Sequence, residues 1–253
     1  MLLPSTLATR LEKAAIDNGF DEELPRERDW LAYASTHAPV SVWLTGSEDG
    51  RPLVALSRAD VAEALGDLGD PAQHPLPPGA VAARIASDVP ALHHLLRRAF
   101  QLANSLPTAL LHRFELQTAA MPRATEAERL VVQRVGQDIF RSGLMDYWEG
   151  RCAVTGLDVP ELLRASHIKP WATCETDAER LDIFNGLLLA PHLDAAFDQG
   201  FITVDDDGRL LVSPALAPDA RMALGLAEPL RVSRLADGHR GYLKAHRRLF
   251  RQA

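Results

Sequence analysis

Three short stretches carry residue types that could do chemistry together. The first is Ala165-Ser166-His167-Ile168-Lys169-Pro170-Trp171, the second Asn185-Gly186-Leu187-Leu188-Leu189, and the third Pro191-His192-Leu193-Asp194-Ala195-Ala196-Phe197-Asp198. An imidazole that is neutral near pH 7 can take a proton from water. Carboxylates bind a hard cation such as Mg²⁺ through oxygen. Such a cation can polarise a phosphate and stabilise a departing oxyanion. Together these are the minimum equipment for metal-assisted hydrolysis of a phosphodiester.

The elements that must position these groups can be read from the same stretches. Leu162 to Ile168 reads as a short strand that Pro170 stops, which puts His167 near its end. Asn185-Gly186 reads as a turn and Leu187 to Leu189 as a returning apolar strand. Pro191 suits the first turn of a helix, and Asp194 and Asp198, four apart, share one face of it.

The ordered run ASHIKPW, NGLLL and PHLDAAFDQGFIT, preceded by Cys152-Ala153-Val154-Thr155-Gly156, resembles the HNH endonuclease family of the ββα-metal superfamily. It is most similar to a bacterial branch written C-x-x-T-G, S-H-I-x-P-W, N-G-L-x-L, F-D-x-G. The resemblance covers about Gly150 to Thr203. The ordered combination is specific, whereas any one piece alone is weak.

The resemblance implies a role for each matching residue. His167 stands where the family has the general base that activates water, and Asn185 where it has the asparagine that fixes the base's loop. The helix ligand of many relatives falls nine positions after that asparagine, at Asp194, and a further ligand of some relatives four beyond, at Asp198. The written HNH histidine is His192. Two departures stand out: Ser166 precedes the base where relatives carry an acidic residue or a histidine, and Asp194 replaces the usual helix histidine. The implied ligand set is therefore Asp194 with Asp198, or His192 with one aspartate. An aspartate-rich site favours Mg²⁺ or Mn²⁺ over zinc.

Each candidate also has an ordinary structural reading. Asn185 is a turn former, His192 can cap or pack at the helix start, Asp194 suits a first helical turn, and Asp198 can order the loop before Gly200. Lys169 and Arg180 are candidate phosphate contacts that could equally serve as solvated or loop-holding charges. Trp171 reads as packing and Cys152 as a buried apolar residue.

The 253-residue chain is 47% hydrophobic and 24% charged, ordinary for a globular protein. Its two cysteines, Cys152 and Cys174, are too few for a disulfide framework or a four-cysteine zinc site. The net charge of -7 argues mildly against a nucleic-acid partner, but phosphate contacts depend on local basic surface. Arg221 to Ala253 carries eight basic residues, Arg247 and Arg248 among them, opposed only by Glu228 and Asp237. A solvated helix face and a phosphate-contacting face are both consistent with that tail. No segment reads as a membrane span or signal peptide, so a cytoplasmic protein with no membrane partner is expected. The sequence leaves the oligomeric state open, a homodimer included.

The chain divides near Pro122 into a mixed α/β N-terminal domain, residues 1–121, and an HNH domain, residues 122–253, an α+β protein with a C-terminal ββα-metal nuclease module. In the N-terminal domain, helices are expected over Leu7 to Asn18, Arg26 to Ser35, Ser57 (as cap) to Leu65, and Ala91 to Leu106. Strands are expected over Val40 to Leu44 and Pro52 to Leu56, with a turn at Glu48-Asp49-Gly50. Gly69 to Gly79, with four prolines, reads as a loop. Thr125 and Glu128 have capping-box spacing and open a long helix with an apolar stripe of Val131, Val135, Ile139, Phe140 and Leu144. That helix should pack beneath the catalytic module and join it to the N-terminal domain.

The expected activity is hydrolysis of DNA phosphodiesters, with a restriction or defence role against foreign or modified DNA. The alternatives are a non-catalytic DNA-binding or regulatory protein that keeps the fold, and an RNase. The N-terminal domain could choose the target; Trp43, Arg51, Arg97, Arg98, His112 and Arg113 could line a nucleic-acid surface, though each taken singly reads as ordinary core or surface.

Overall fold

The computed structural model describes residues 3–251, a mixed α+β protein with antiparallel sheets. The chain forms two compact units, Met1–Leu106 and Pro107–Ala253. Among the described residues no helix is long and apolar enough to cross a membrane.

The first unit is built on α1 (Ser5–Asp17), β1 (Glu22–Glu27), β2 (Trp30–Ala34), β3 (Ser41–Gly46), β4 (Pro52–Leu56), α2 (Ala59–Ala64), β5 (Asp70–Pro71), β6 (Ala82–Ile85) and α3 (Val89–Ser105). The strands form one antiparallel sheet ordered β1-β2-β3-β4-β6-β5. Register places Ala32 opposite Trp43, Trp43 opposite Ala55, and Ala55 opposite Ala83. Residues directly opposite share a face, so these four form one row. Trp30 and Leu53 join them in a buried cluster covered by Leu24, Ala72, Ala80 and Ile85. Helices α1 and α2 pack on the sheet and α3 packs against both, burying residues such as Leu11, Ala14, Val61, Leu92 and Leu96.

Two expectations for this unit are corrected. Arg26 to Ser35 is the β1–β2 hairpin rather than a helix. Trp30 to Tyr33 are all buried, because β2 is an inner strand with both faces covered. Such a strand shows no polar alternation to separate it from a helix. Arg28, at φ 55°, makes the turn. Ser57 does not cap α2. Its hydroxyl accepts from the Ser41 N–H at 2.8 Å, so the sheet uses it, and Arg58 stands at the cap without a side-chain capping bond. Gly50, at φ 80°, supplies the β3–β4 turn as expected.

The second unit contains α4 (Pro107–Thr118), α5 (Glu126–Tyr147), β7 (Arg164–His167), α6 (Asp177–Arg180), β8 (Gly186–Leu189), α7 (Pro191–Asp198), β9 (Ile202–Val204), β10 (Leu210–Val212), α8 (Pro218–Ala223) and α9 (Asp237–His246). The compact unit begins at Pro107, ahead of the break expected near Pro122, because α4 packs against α5. The Thr125 hydroxyl accepts from the Glu128 N–H at 3.2 Å, and the Glu128 carboxylate accepts from the Thr125 N–H at 2.9 Å, a complete capping box. The buried stripe of α5 is Val132, Gly136, Ile139, Phe140, Gly143, Leu144 and Tyr147. Val131, expected inside, is 54% exposed. Val132 lies on the face turned to α4 and the β7–β8 pair, and Val131 one step round the helix from it.

Candidate active site

Strands β7 and β8 pair antiparallel with Ser166 opposite Leu187 and His167 opposite Gly186. β7 is shorter than expected: Pro160–Leu162 forms a 3-10 turn and the strand begins at Arg164. Side chains alternate along it. His167 lies flat on Phe140 of α5, with ring centroids 3.8 Å apart and planes 17° apart. Trp171 meets it edge-on at 5.5 Å. Gly186 makes that stack possible. A Cβ there would lie 2.5 Å from Phe140 and 2.8 Å from Leu144, so only glycine lets α5 approach the strand pair this closely.

The His167 ring is fixed by one hydrogen bond. Its Nε2 lies 2.9 Å from the Arg180 carbonyl oxygen. A carbonyl can only accept, so Nε2 carries the hydrogen, and in the neutral ring Nδ1 keeps the lone pair. Nδ1 makes no hydrogen bond among the described residues. Burial pushes the imidazole pKa down, and the Arg180 carbonyl works against that shift. At neutral pH the ring is therefore an uncharged base with its accepting nitrogen unused.

Asn185 holds the loop that carries this arrangement. Its side chain is fully buried. Oδ1 accepts from the Lys169 N–H at 2.7 Å. Nδ2 faces the Lys169 carbonyl at 3.2 Å, the Glu179 carbonyl at 3.1 Å and the Cys174 sulfur at 3.4 Å. The Asn185 carbonyl accepts from the Ile168 N–H at 3.0 Å. One side chain thus ties the residues after His167 to α6, whose last carbonyl positions the histidine. Asp182 caps the 3-10 turn that ends at Asn185, accepting from the Phe184 N–H at 2.9 Å. It also accepts from the Tyr242 hydroxyl of α9 at 3.0 Å.

Helix α7 begins at Pro191. Asp194 and Asp198 lie on one face of it. Burial, and then the Asp194 carboxylate, push the Asp198 carboxyl pKa up. The Ser166 hydroxyl pulls weakly the other way; it is buried and makes no hydrogen bond at ordinary distance. Two carboxylates and an unpartnered hydroxyl therefore stand together. His192 is exposed on the first turn, and residues two apart on a helix do not face each other, so it stands off the Asp194–Asp198 face. Among the described residues, no group of three or more histidine, cysteine or acidic side chains could hold a metal.

Three of the four candidate phosphate contacts are already engaged. Lys169 pairs with Glu179 at 2.8 Å. The Arg180 guanidinium bonds to Asp177 and to the Cys174 and Trp171 carbonyls, and it lies over the Trp171 ring. Arg247 donates to the Val204 carbonyl and to Asp206. Arg248 is exposed, with no side-chain bond among the described residues. In the first unit Trp43 and Arg98 are buried and Arg51 pairs with Asp49, in keeping with their ordinary reading. Sequence reasoning missed the Phe140 wall and the Arg180 carbonyl. A backbone acceptor leaves no mark in residue identity, and Phe140 was legible only as one apolar member of a stripe.

Residues 152–205 match the family model described as HNH endonuclease. This segment belongs to the HNH endonuclease family. The match suggests a nuclease-type hydrolase that acts on phosphodiester bonds of a nucleic acid; nucleases of this family generally use a divalent metal. The match contains His167, Asn185, His192, Asp194 and Asp198 and ends just after β9, leaving α5 and α9 outside it. No curated protein matches the chain.

Proposed function

We propose that the protein is a metal-dependent endonuclease that hydrolyses DNA, with His167 as general base on a ββα-metal scaffold of β7, β8 and α7. The observation that carries this reading is the fixed tautomer of His167. With Nε2 committed to the Arg180 carbonyl, Nδ1 is the atom that takes the proton from the attacking water. The depressed pKa keeps it unprotonated at neutral pH. Asn185 is a positioning residue that keeps the Arg180 carbonyl and the Lys169 backbone in place.

The Asp194, Asp198 and Ser166 oxygens fit a hard divalent cation. Their donor set is oxygen only, the charged Asp198 carboxylate is disfavoured first by burial and then by the Asp194 charge, which a cation would offset, and the buried Ser166 hydroxyl lacks a partner. Two carboxylates suit Mg²⁺ or Mn²⁺, which keep several waters of their own. When bound, the cation supplies charge stabilisation to the phosphate and the departing oxygen. His192 is assigned no ligand role here, because it stands off that helix face. The first unit is proposed to choose the target, in keeping with a restriction or defence role against foreign or modified DNA.

The test is nicking of supercoiled plasmid by purified protein with Mg²⁺ or Mn²⁺, with and without chelator, beside His167→Ala. Metal-dependent nicking that His167→Ala abolishes supports the reading. Nicking that survives His167→Ala refutes the assigned base. Cleavage confined to parallel RNA substrates replaces DNA with RNA as substrate.

A further inference from the structure

A second cluster of basic groups lies outside the matched segment. An open groove of about 420 Å³ is bounded by the β9–β10 turn, the strand-like segment at Arg231 and the start of α9. Arg209, Arg231 and Arg240 line it together with Asp206, Asp207 and Ser233. Arg209 and Arg231 form an isolated antiparallel bridge. The bonds that flank it run from the Leu210 N–H to the Leu230 carbonyl at 2.9 Å and from the Val232 N–H to the Gly208 carbonyl at 2.8 Å. The arginines are thus a non-hydrogen-bonded pair, the arrangement in which opposed side chains stand closest and on the same face. Like charges so placed destabilise a ladder, and an anion between them removes that cost.

The groove's groups are also fixed in place. The Arg231 guanidinium donates to the Asp207 carbonyl and that of Arg240 to the Asp206 carbonyl, which orients both from the turn. Arg240 also meets Asp237. The Asp206 carboxylate is taken by Arg247 from outside the groove. Asp207 is the one acidic side chain of the wall with no partner among the described residues. The Arg209 guanidinium likewise has no hydrogen bond or ion pair among them. In a chain whose net charge is -7, three guanidiniums in one groove are a local departure that favours a polyanion. The helix carrying Arg240 also carries Tyr242, which bonds to the Asp182 cap of the Asn185 turn, so groove and histidine loop share one support.

We propose that this groove is a second, non-catalytic phosphate site that holds the sugar–phosphate backbone of a DNA duplex away from the bond being cut. The inference rests on the nuclease reading for the identity of the polyanion. Guanidinium forks match phosphate oxygens two at a time, and Arg209 has all its donors available for such a contact.

The test is equilibrium binding of a fluorescein-labelled duplex to His167→Ala protein with Mg²⁺, followed by anisotropy from low to high salt. Each phosphate contact contributes about 0.9 to the slope of log affinity against log salt. Arg209→Gln in that background should reduce the slope by about 0.9 and weaken binding about eightfold at about 0.1 M salt, counting from a 1 M reference. Arg209→Gln with Arg231→Gln should roughly double the loss of slope. Arg209 has no bond to break and its removal relieves the charge opposed to Arg231, so its variant does not lower the thermal midpoint of the parent and the result does not depend on the turn that Arg231 supports. Unchanged slope and affinity in both variants overturn the groove assignment, as does a parent that binds no duplex. Plasmid nicking by the wild type, measured separately, decides the nuclease reading: nicking with an unchanged slope discards the groove alone.

Discussion

Replacing Asn185 by alanine isolates the contribution of the loop support. The substitution removes the partner of the Lys169 N–H and the donor that faces the Lys169 and Glu179 carbonyls. The site is fully buried, so water does not replace it without cost. At roughly 1 kcal/mol for each of three lost bonds, and more for a group left unsatisfied, the second unit should lose about 3 kcal/mol of stability. For a unit of this size that is a drop of roughly 10 °C in thermal midpoint. The same change releases the Arg180 carbonyl, and a displacement of about 1 Å in a catalytic group costs on the order of 100-fold in rate. Asn185→Asp sharpens the comparison. It keeps the acceptor for the Lys169 N–H but aims a carboxylate oxygen at two carbonyls, so it should be no more stable than alanine despite its matching shape. Scanning calorimetry and plasmid nicking with Mg²⁺ read the two effects on the same protein. A variant that loses 100-fold in rate with its midpoint unchanged would refute the support role and make Asn185 a residue that acts on substrate.

The pH profile should follow the His167 shift. Its folded pKa is below 6.5, so kcat/KM for nicking should hold down to pH 6.5 and fall below it; a half-maximal rate above pH 7 would contradict the buried neutral base. Gly186→Ala puts a Cβ 2.5 Å from Phe140, and should cost about 1–3 kcal/mol by overpacking while lowering the nicking rate through the His167 stack. His239, packed among Tyr147, Trp148 and Phe184, has its pKa lowered by burial to about 4. The unfolded chain therefore binds this proton between about pH 6.5 and 4 while the folded chain does not. Stability from this group is complete above pH 6.5 and declines through that window, by about 3 kcal/mol in all; His239→Phe should flatten the acid side of a denaturation series.

Much of the site was legible because its chemistry is carried by residue types at fixed spacing. His167 at the end of a strand, Asn185 before a returning apolar strand, and two aspartates four apart after Pro191 all stand on the elements expected for them. What escaped was held by backbone or by surroundings. The acceptor that sets the histidine tautomer is a carbonyl, for which any residue at position 180 would serve. Arg180 and Lys169 looked like phosphate contacts from their charge, yet their side chains are spent within the loop. The long helix was found from its capping box, but the choice between Val131 and Val132 depended on where α4 and the strand pair lie. The β1–β2 hairpin was hidden because an inner strand of WLAYA gives apolar residues without alternation.

The matched segment does not make the site by itself. The flat face under His167 is Phe140, and Leu163, which leads into β7, has its carbonyl held by Arg141 at 2.7 Å; both come from α5, ahead of the match. From behind it, Ser233 donates its N–H to the Ala153 carbonyl at 2.8 Å and Tyr242 reaches the cap of the Asn185 turn. His246 stacks on Phe197 of α7 at 3.7 Å and bonds to the Phe197 carbonyl, while Thr203 of β9 meets its other nitrogen at 2.9 Å. These contacts act on each of the three pieces in turn: the strand with the base, the turn with the asparagine, and the helix with the aspartates. A two-stranded sheet and an eight-residue helix bury too little apolar surface to hold a histidine to a fixed tautomer. The proposed catalytic pattern is therefore local in sequence, but its precision is borrowed from α5 and α9, and substitutions in those helices should disturb the proposed base, His167, even though neither carries a family motif.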